Sequence, residues 1–457
     1  MHDRTSGNLL EGPVFPALVR MALPASIGYF FNTMYNVVDT YWAGRLSTDA
    51  LAGLSLTFPV FAMLLAVAVG TAAGSNALIS NYIGAGHIQR SRQILAQALS
   101  FGVVLTAVAA TPLLLVLRPF LAFLGGGDGA QESAFRYAQV LISGGVFFVI
   151  NQVWNSGLQA RGDTRTYRNI LIISFFVNIG LDPLLMLGWH PGGVTIIPAL
   201  GVRGIALATV LVQAGGIFYV ARRGRRLGIL QGVSLREFIP RLQDFKEIAE
   251  QALPGALNFL TMALGSYVIT AYIGRFGTSA VAGYGAALRI EQMALVPTIG
   301  INIALATMVG QSNGAGRFER IRASYRTTLL MGLAIFALLY PWVFFFGHHL
   351  IALFNDDPQV MAVGHAYLRT QAVTFFSYVI LFQANSILQG LKRPGAIFYV
   401  GMYRQLAAPL LVFPFLAFTL NMQVNGVWWG LVVVNWSAAV FSYWWSWHRI
   451  RVRERTA

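Results

Sequence analysis

The sequence predicts an all-α integral membrane protein: twelve transmembrane helices in two six-helix bundles related by a parallel internal repeat. Three observations lead there. First, 56% of the 457 residues are hydrophobic and only 11% are charged, against about 25% charged in a soluble domain. Mean hydropathy is +0.61. A single soluble core stops growing at roughly 250–300 residues and cannot hide that much apolar surface. Second, the apolar residues fall in continuous runs long enough for helices of about 20 residues, not in the alternation of a membrane β-barrel. Third, the chain matches itself at a fixed offset.

The elements follow in order. Residues 1–16 carry Asp3, Arg4 and Glu11. The apolar stretch after them is longer than a signal-peptide core and has no small-residue cleavage site, so it reads as a retained first helix. Apolar runs between charged, glycine and proline breaks then give spans at 17–44, 51–83, 94–117, 136–159, 167–188 and 202–221. A basic linker follows, and further spans at 248–274, 281–313, 324–347, 366–390, 396–419 and 426–448. Trp444, Trp445 and Trp447 close the last span as an interfacial belt.

Charge orients the spans. There are 32 basic and 17 acidic residues, a formal net charge of +15. In a soluble protein this would suggest nucleic acid. Here the basic residues sort by side: 24 fall in the N-terminal segment, the even-numbered loops and the C-terminal tail, and six in the odd-numbered loops. The positive-inside rule puts both termini in the cytoplasm, and no nucleic-acid partner is expected. Cysteine is absent, which removes disulfides, thiolate nucleophiles and thiolate metal ligands.

A shift of 230 residues superimposes Ala22-Leu23-Pro24 on Ala252-Leu253-Pro254, Gly44-Arg45 on Gly274-Arg275 and Gly84-Ala85-Gly86 on Gly314-Ala315-Gly316. Seventeen of the 65 positions from 22 to 86 are identical. The expected domains are an N-terminal six-helix lobe, 1–221, a linker, 222–247, and a C-terminal lobe, 248–457. Six spans per repeat return the chain to its starting side, so the copies are parallel. That is a transporter architecture working by rocking of one bundle against the other.

Charges inside spans are costly and mark function. Asp39, Asp182, Arg289, Glu291 and Arg404 qualify. Asp39 ends the stripe Asn32, Tyr35, Asn36, Asp39 on one helical face. Asn178 and Asp182 are four apart on the fifth span, as are Asn155 and Gln159 on the fourth. Pro183 frees the carbonyl of Ile179, and Thr209 lies on the sixth span. The repeat shift turns Asp39 into Ile269, Asn178 into Ala408 and Asp182 into Val412, so the carboxylate site belongs to one lobe. Paired carboxylates with amides suit a proton. The same oxygens at Asp39, Asn178, Asp182 and Thr209 suit sodium, a hard cation that takes oxygen ligands. No other metal and no cofactor is expected. His348-His349 and Asp356-Asp357 read as a solvated outer loop. Arg289 and Glu291 are two apart and do not face each other. Arg289 is expected to pair across the cleft or meet substrate, and Glu291 to contact a cationic substrate.

Met34-Tyr-Asn-Val-Val-Asp39 with Gly44, the Gly84-Ala-Gly86 turn, Leu158-Gln-Ala-Arg-Gly162 and Asn178-x-x-Leu181-Asp182-Pro183 resemble the multidrug and toxic compound extrusion (MATE) family. They look closer to its DinF-like and archaeal-type branch than to its NorM-like one. The resemblance implies export of amphipathic, often cationic, drugs in exchange for protons or sodium. It also implies an N-lobe site matching Asp39, Asn178, Asp182, Tyr35, Tyr137, Asn155 and Thr209, with a bend of the first helix at Pro24. The location implied is a bacterial or archaeal inner membrane, and the chain is expected to act as a monomer. The alternative is a flippase for a lipid-linked cell-envelope precursor, which would need several cleft arginines. An enzyme is not expected, since no intramembrane histidine, cysteine or HExxH motif is present.

Overall fold

The computed structural model describes residues 9–455 except Gly126. Asp3 and Arg4 lie outside the described residues. Helices account for nearly all of the chain. We number them α1 (Val14–Leu46), α2 (Thr48–Gly84), α3 (Ile88–Leu124), α4 (Asp128–Ser143 and Gly145–Gln159), α5 (Arg165–Leu187) and α6 (Val202–Arg226). The second half repeats the pattern: α7 (Leu242–Gly274), α8 (Thr278–Gly314), α9 (Phe318–Ala352), α10 (Pro358–Ala372 and Thr374–Gly390), α11 (Gly395–Thr419) and α12 (Gln423–Arg455). Among the described residues ten are long and apolar enough to cross a membrane, and counting each of the bent pairs α4 and α10 as one span brings the number to twelve.

Most helices outrun their apolar spans, because a helix continues in polar residues once it leaves lipid. α9 runs five residues past the expected end at 347, so His348 and His349 sit in its last turns and not in a loop. Asp357 caps α10 by accepting from the backbone N–H of Gln359 and Val360. The linker is partly helical: α6 continues to Arg226 and α7 begins at Leu242. Between them Ser234 and Glu237 form a capping box on a short 3₁₀ turn.

The repeat is visible in shape as well as in sequence. α4 bends by 46° at Gly144 and α10 by 52° around Val373, one residue from the 230-residue register. Glycine notches recur in register too. A Cβ on Gly53 would meet Ser133 and Ala134, and one on Gly283 would meet Val360 and Gly364. A Cβ on Gly70 would meet Ala252 and Ala256, and one on Gly300 would meet Ala22 and Ser26. Small residues let helix backbones approach closely where no hydrophobic driving force between helices exists.

By contacts the chain divides into two compact units, and α1 and α7 are each shared between them. One unit comprises residues 27–83 and 87–256, the other 84–86, 257–455 and the segment up to Ser26. The two cuts, after Ser26 and after Ala256, again differ by 230. Within the first unit Leu95, Val149, Leu158, Val220 and Ile248 form a buried core. Within the second, Phe336, Phe375, Phe413 and Trp428 do so.

Candidate ion and substrate site

In the first unit, α1, α5 and α6 bring their polar residues to one point. Asn178 sits at its centre, fully buried. Its Nδ2 donates to Asp39 Oδ1 at 2.6 Å and to Asp182 Oδ2 at 2.9 Å. Thr209 Oγ1 donates to Asp39 Oδ2 at 3.3 Å and to its own helix at Ile205 O. One amide thus ties two carboxyls from different helices. The i, i+4 spacing of Asn178 and Asp182 puts them on one face of α5, and Thr209 reaches in from α6.

Several oxygens here have no donor. Asp182 Oδ1, Asn178 Oδ1 and the Tyr35 hydroxyl are buried without a hydrogen-bond partner among the described residues. Among the described residues, no Lys, Arg or His is ion-paired with Asp39 or Asp182. Unpaired buried charge is costly, so two carboxyls so placed call for a proton or a cation. No three His, Cys, Asp or Glu side chains converge on a metal position among the described residues. The donor set is two carboxyls, an amide and hydroxyls, which fits a hard monovalent ion and not a transition metal.

The other expected residues divide. Tyr35 and Tyr137 are buried in the same unit. Asn36 turns outward, and its side chain bonds its own helix at Asn32 O, 2.9 Å. Asn155 is buried, but among the described residues its Oδ1 has no partner and no bond links it to the carboxyls. Gln159 faces elsewhere and accepts from Asn76 at 3.2 Å. Pro24 lies inside an unbroken α1, two residues before the cut between units. Nearby, Ser26 Oγ donates to Pro297 O at 3.1 Å.

The second unit has a polar centre of its own that sequence reasoning identified only in part. Glu291 is buried and accepts from the Tyr367 hydroxyl. Arg404, also buried, donates to Asn435 Oδ1 at 2.9 Å and lies over the Tyr378 ring. It sits in a π-helical turn of α11, Tyr403–Ala407. Tyr367 is the repeat mate of Tyr137, a signal that, beside the in-span charges Glu291 and Arg404, could have located the centre. Arg289 behaves differently: it is exposed, its guanidinium lies 5.9 Å from the Phe354 ring centroid, and among the described residues it pairs with no carboxylate.

The MatE family model matches residues 24–184 and again 254–415, two stretches that open on Pro24 and on its repeat mate Pro254. The chain belongs to the MatE family. It is therefore a multi-pass membrane protein of a transporter family. The FAD transporter of Shewanella oneidensis is 28% identical over 434 residues, 93% of this chain and 92% of its own length. The probable multidrug resistance protein NorM of Thermotoga maritima is 29% identical over 380 residues, 82% of this chain and 79% of its own. Among solved structures, a MATE protein in its straight conformation superimposes with a TM-score of 0.90 at 25% identity, covering 99% of both chains. A MOP superfamily transporter from Pyrococcus furiosus gives 0.89 at 25% identity, again with 99% of both chains covered.

Proposed function

We propose that this MATE protein is an efflux antiporter that exports amphipathic, often cationic, compounds in exchange for protons or sodium. The observation that carries the reading is the buried pair Asp39 and Asp182 on a single Asn178 amide, with unpartnered oxygens around it. An ion entering there neutralises the carboxyls. A cationic substrate held by Asp39 then loses its counter-charge. An ion can drive export only through such differential affinity for two states. Tyr35, Tyr137, Asn155 and Thr209 line the ion site in this reading. Sodium, if it is the coupling ion, takes oxygens of Asp39, Asn178, Asp182 and Thr209. The absence of carboxylates after Glu250 on α7 and throughout α10 favours the DinF-like over the NorM-like branch. The basic linker and tail argue for cytoplasmic termini in an inner membrane. The chain is proposed to work as a monomer.

Of the two α8 charges, exposed Arg289 is the one we assign to substrate contact. Glu291 reaches a cationic substrate only by leaving Tyr367. Arg289→Ala is expected to change the range of exported compounds, read as a panel of inhibitory concentrations, while ion dependence stays as in wild type. Loss of ion dependence at unchanged substrate range would refute the assignment.

The relative named as an FAD transporter motivates a second reading, in which the cargo is an anionic dinucleotide. Both readings are tested by efflux from proteoliposomes under an imposed proton or an imposed sodium gradient. A cationic dye and FAD are the two cargoes. Gradient-driven dye efflux supports the antiporter, FAD efflux alone supports the second reading, and efflux of neither under either gradient defeats both. The repeat mate of Asp39 supplies the control. Ile269→Asn puts a polar group in the second unit, and dye efflux is expected to stay within about twofold of wild type, a change of under ~0.5 kcal/mol in barrier. A loss equal to that of an Asp39 variant would argue against a one-unit site.

A further inference from the structure

The end of the first unit that carries the linker holds two arginines that, among the described residues, have no counter-ion. Arg92, on the first turns of α3, donates through Nη1 to the carbonyl of Gln231 at 2.7 Å. Arg161, in the turn after α4, donates through Nη1 to the carbonyl of Leu227 at 3.0 Å. Both are half-buried and held by the same linker turn. Arg92 Nε is buried with no hydrogen-bond partner among the described residues. Burial, and then the neighbouring Arg92 charge, push the Arg161 guanidinium down to about 10, so it is still a cation at neutral pH.

Among the described residues, Asp163 and the three acids of the linker are engaged elsewhere. Asp163 caps Thr166 through its backbone N–H and hydroxyl, and faces Arg223 at 3.8 Å. Glu237 takes the Ser234 N–H and the Gln93 amide. Asp244 is bonded to Arg90 at 2.5 Å. Glu247 accepts from Tyr82 and also faces Arg90. These two hydrogen bonds end on backbone carbonyls, which offer a dipole and no charge.

We propose that Arg92 and Arg161, closed over by the linker turn Leu227–Gln231, form a binding site for an anionic phosphate group. Guanidinium forks match phosphate oxygens in geometry as well as charge. The free Nε of Arg92 is one donor ready for it. The phosphate comes either from an acidic lipid headgroup or from a soluble phosphate ester, since the site lies at the ends of spanning helices. Bound there, it joins the linker to α3 and to the α4–α5 turn.

The test uses the full-length protein in detergent, with thermal unfolding and native mass spectrometry as readouts. Phosphatidylglycerol, phosphatidylcholine and glycerol 3-phosphate are the probes. Phosphatidylglycerol is expected to raise the unfolding midpoint more than phosphatidylcholine does. That difference should fall by at least half in Arg92→Gln and in Arg161→Gln, and should persist when exposed Arg225 and Arg226 are both changed to Gln. An equal rise with glycerol 3-phosphate, lost in the same variants, keeps the site and assigns it to a soluble ester. The proposal is overturned if Arg161→Gln responds as wild type does. It is also overturned if wild type retains phosphatidylglycerol no better than phosphatidylcholine in the mass spectrum, a result that needs no variant to fold.

Discussion

In a host lacking its own pumps, the Asp39→Asn protein is expected to confer no drug resistance while reaching the membrane at wild-type level. The substitution is nearly isosteric, so packing in α1 survives. What changes is charge and donor pattern. Asp39 Oδ1 accepts from Asn178 and Oδ2 from Thr209. An asparagine can accept on one side only, and its amide N–H₂ then either opposes the Asn178 amide or makes the Thr209 hydroxyl the acceptor. It cannot bind a proton or hold a cationic substrate by charge. Gradient-driven efflux from proteoliposomes should fall at least about tenfold, ~1.4 kcal/mol. Asp182→Asn should also impair efflux, because it removes the second of the two carboxyls that the Asn178 amide ties together. Wild-type resistance in the Asp39 variant, with blotting that shows equal expression, would remove this carboxyl from the mechanism.

How far the sequence could be read depended on what each residue type can do in lipid. The carboxylates were legible because a charge in an apolar run has few explanations. Their meeting through Asn178 followed from i, i+4 spacing plus a shared need for partners. The stripe on α1 was legible only by half. Tyr35 and Asp39 turn inward, while Asn36 satisfies itself on the backbone one turn earlier, an option that short amides always have. Asn155 and Gln159 look like one polar face, yet Gln159 is taken by Asn76. Sequence spacing fixes a face and not the neighbour that meets it. The bend of α4 at Gly144 has a glycine signal in Gly144-Gly145, whereas its mate in α10 lies at Ala372-Val373-Thr374 with none. The π-helical turn that seats Arg404 in α11 depends on register against neighbours and leaves no mark on composition.

Gly300→Leu is expected to cost most of the folded protein, and Gly70→Leu to do the same. At Gly300 a Cβ alone would already press on the Ala22 carbonyl and on Ser26. At Gly70 it would stand 2.6 Å from the Ala256 Cβ and 2.8 Å from the Ala252 carbonyl oxygen. Both obstacles include helix backbone, which cannot swing aside as a flexible side chain can. Forcing a larger side chain into a packed contact typically costs about 1–3 kcal/mol, and a leucine against backbone belongs at the top of that range. The two sites are repeat mates, and each seats the opening half of a shared helix, α1 at Gly300 and α7 at Gly70. Gly180→Ala is the matching control: it is exposed on α5 with nothing near its Cβ position. There alanine should be neutral or stabilising by up to about 1 kcal/mol through helix propensity. Thermal unfolding in detergent reads all three. A midpoint for Gly300→Leu equal to that of wild type would mean that α1 does not cross α8 this closely. The Ser26–Pro297 bond that accompanies the crossing would then lose its support as well. A large drop at Gly300 and at Gly70, with none at Gly180, would tie the repeat seen in the sequence to one packing device used twice.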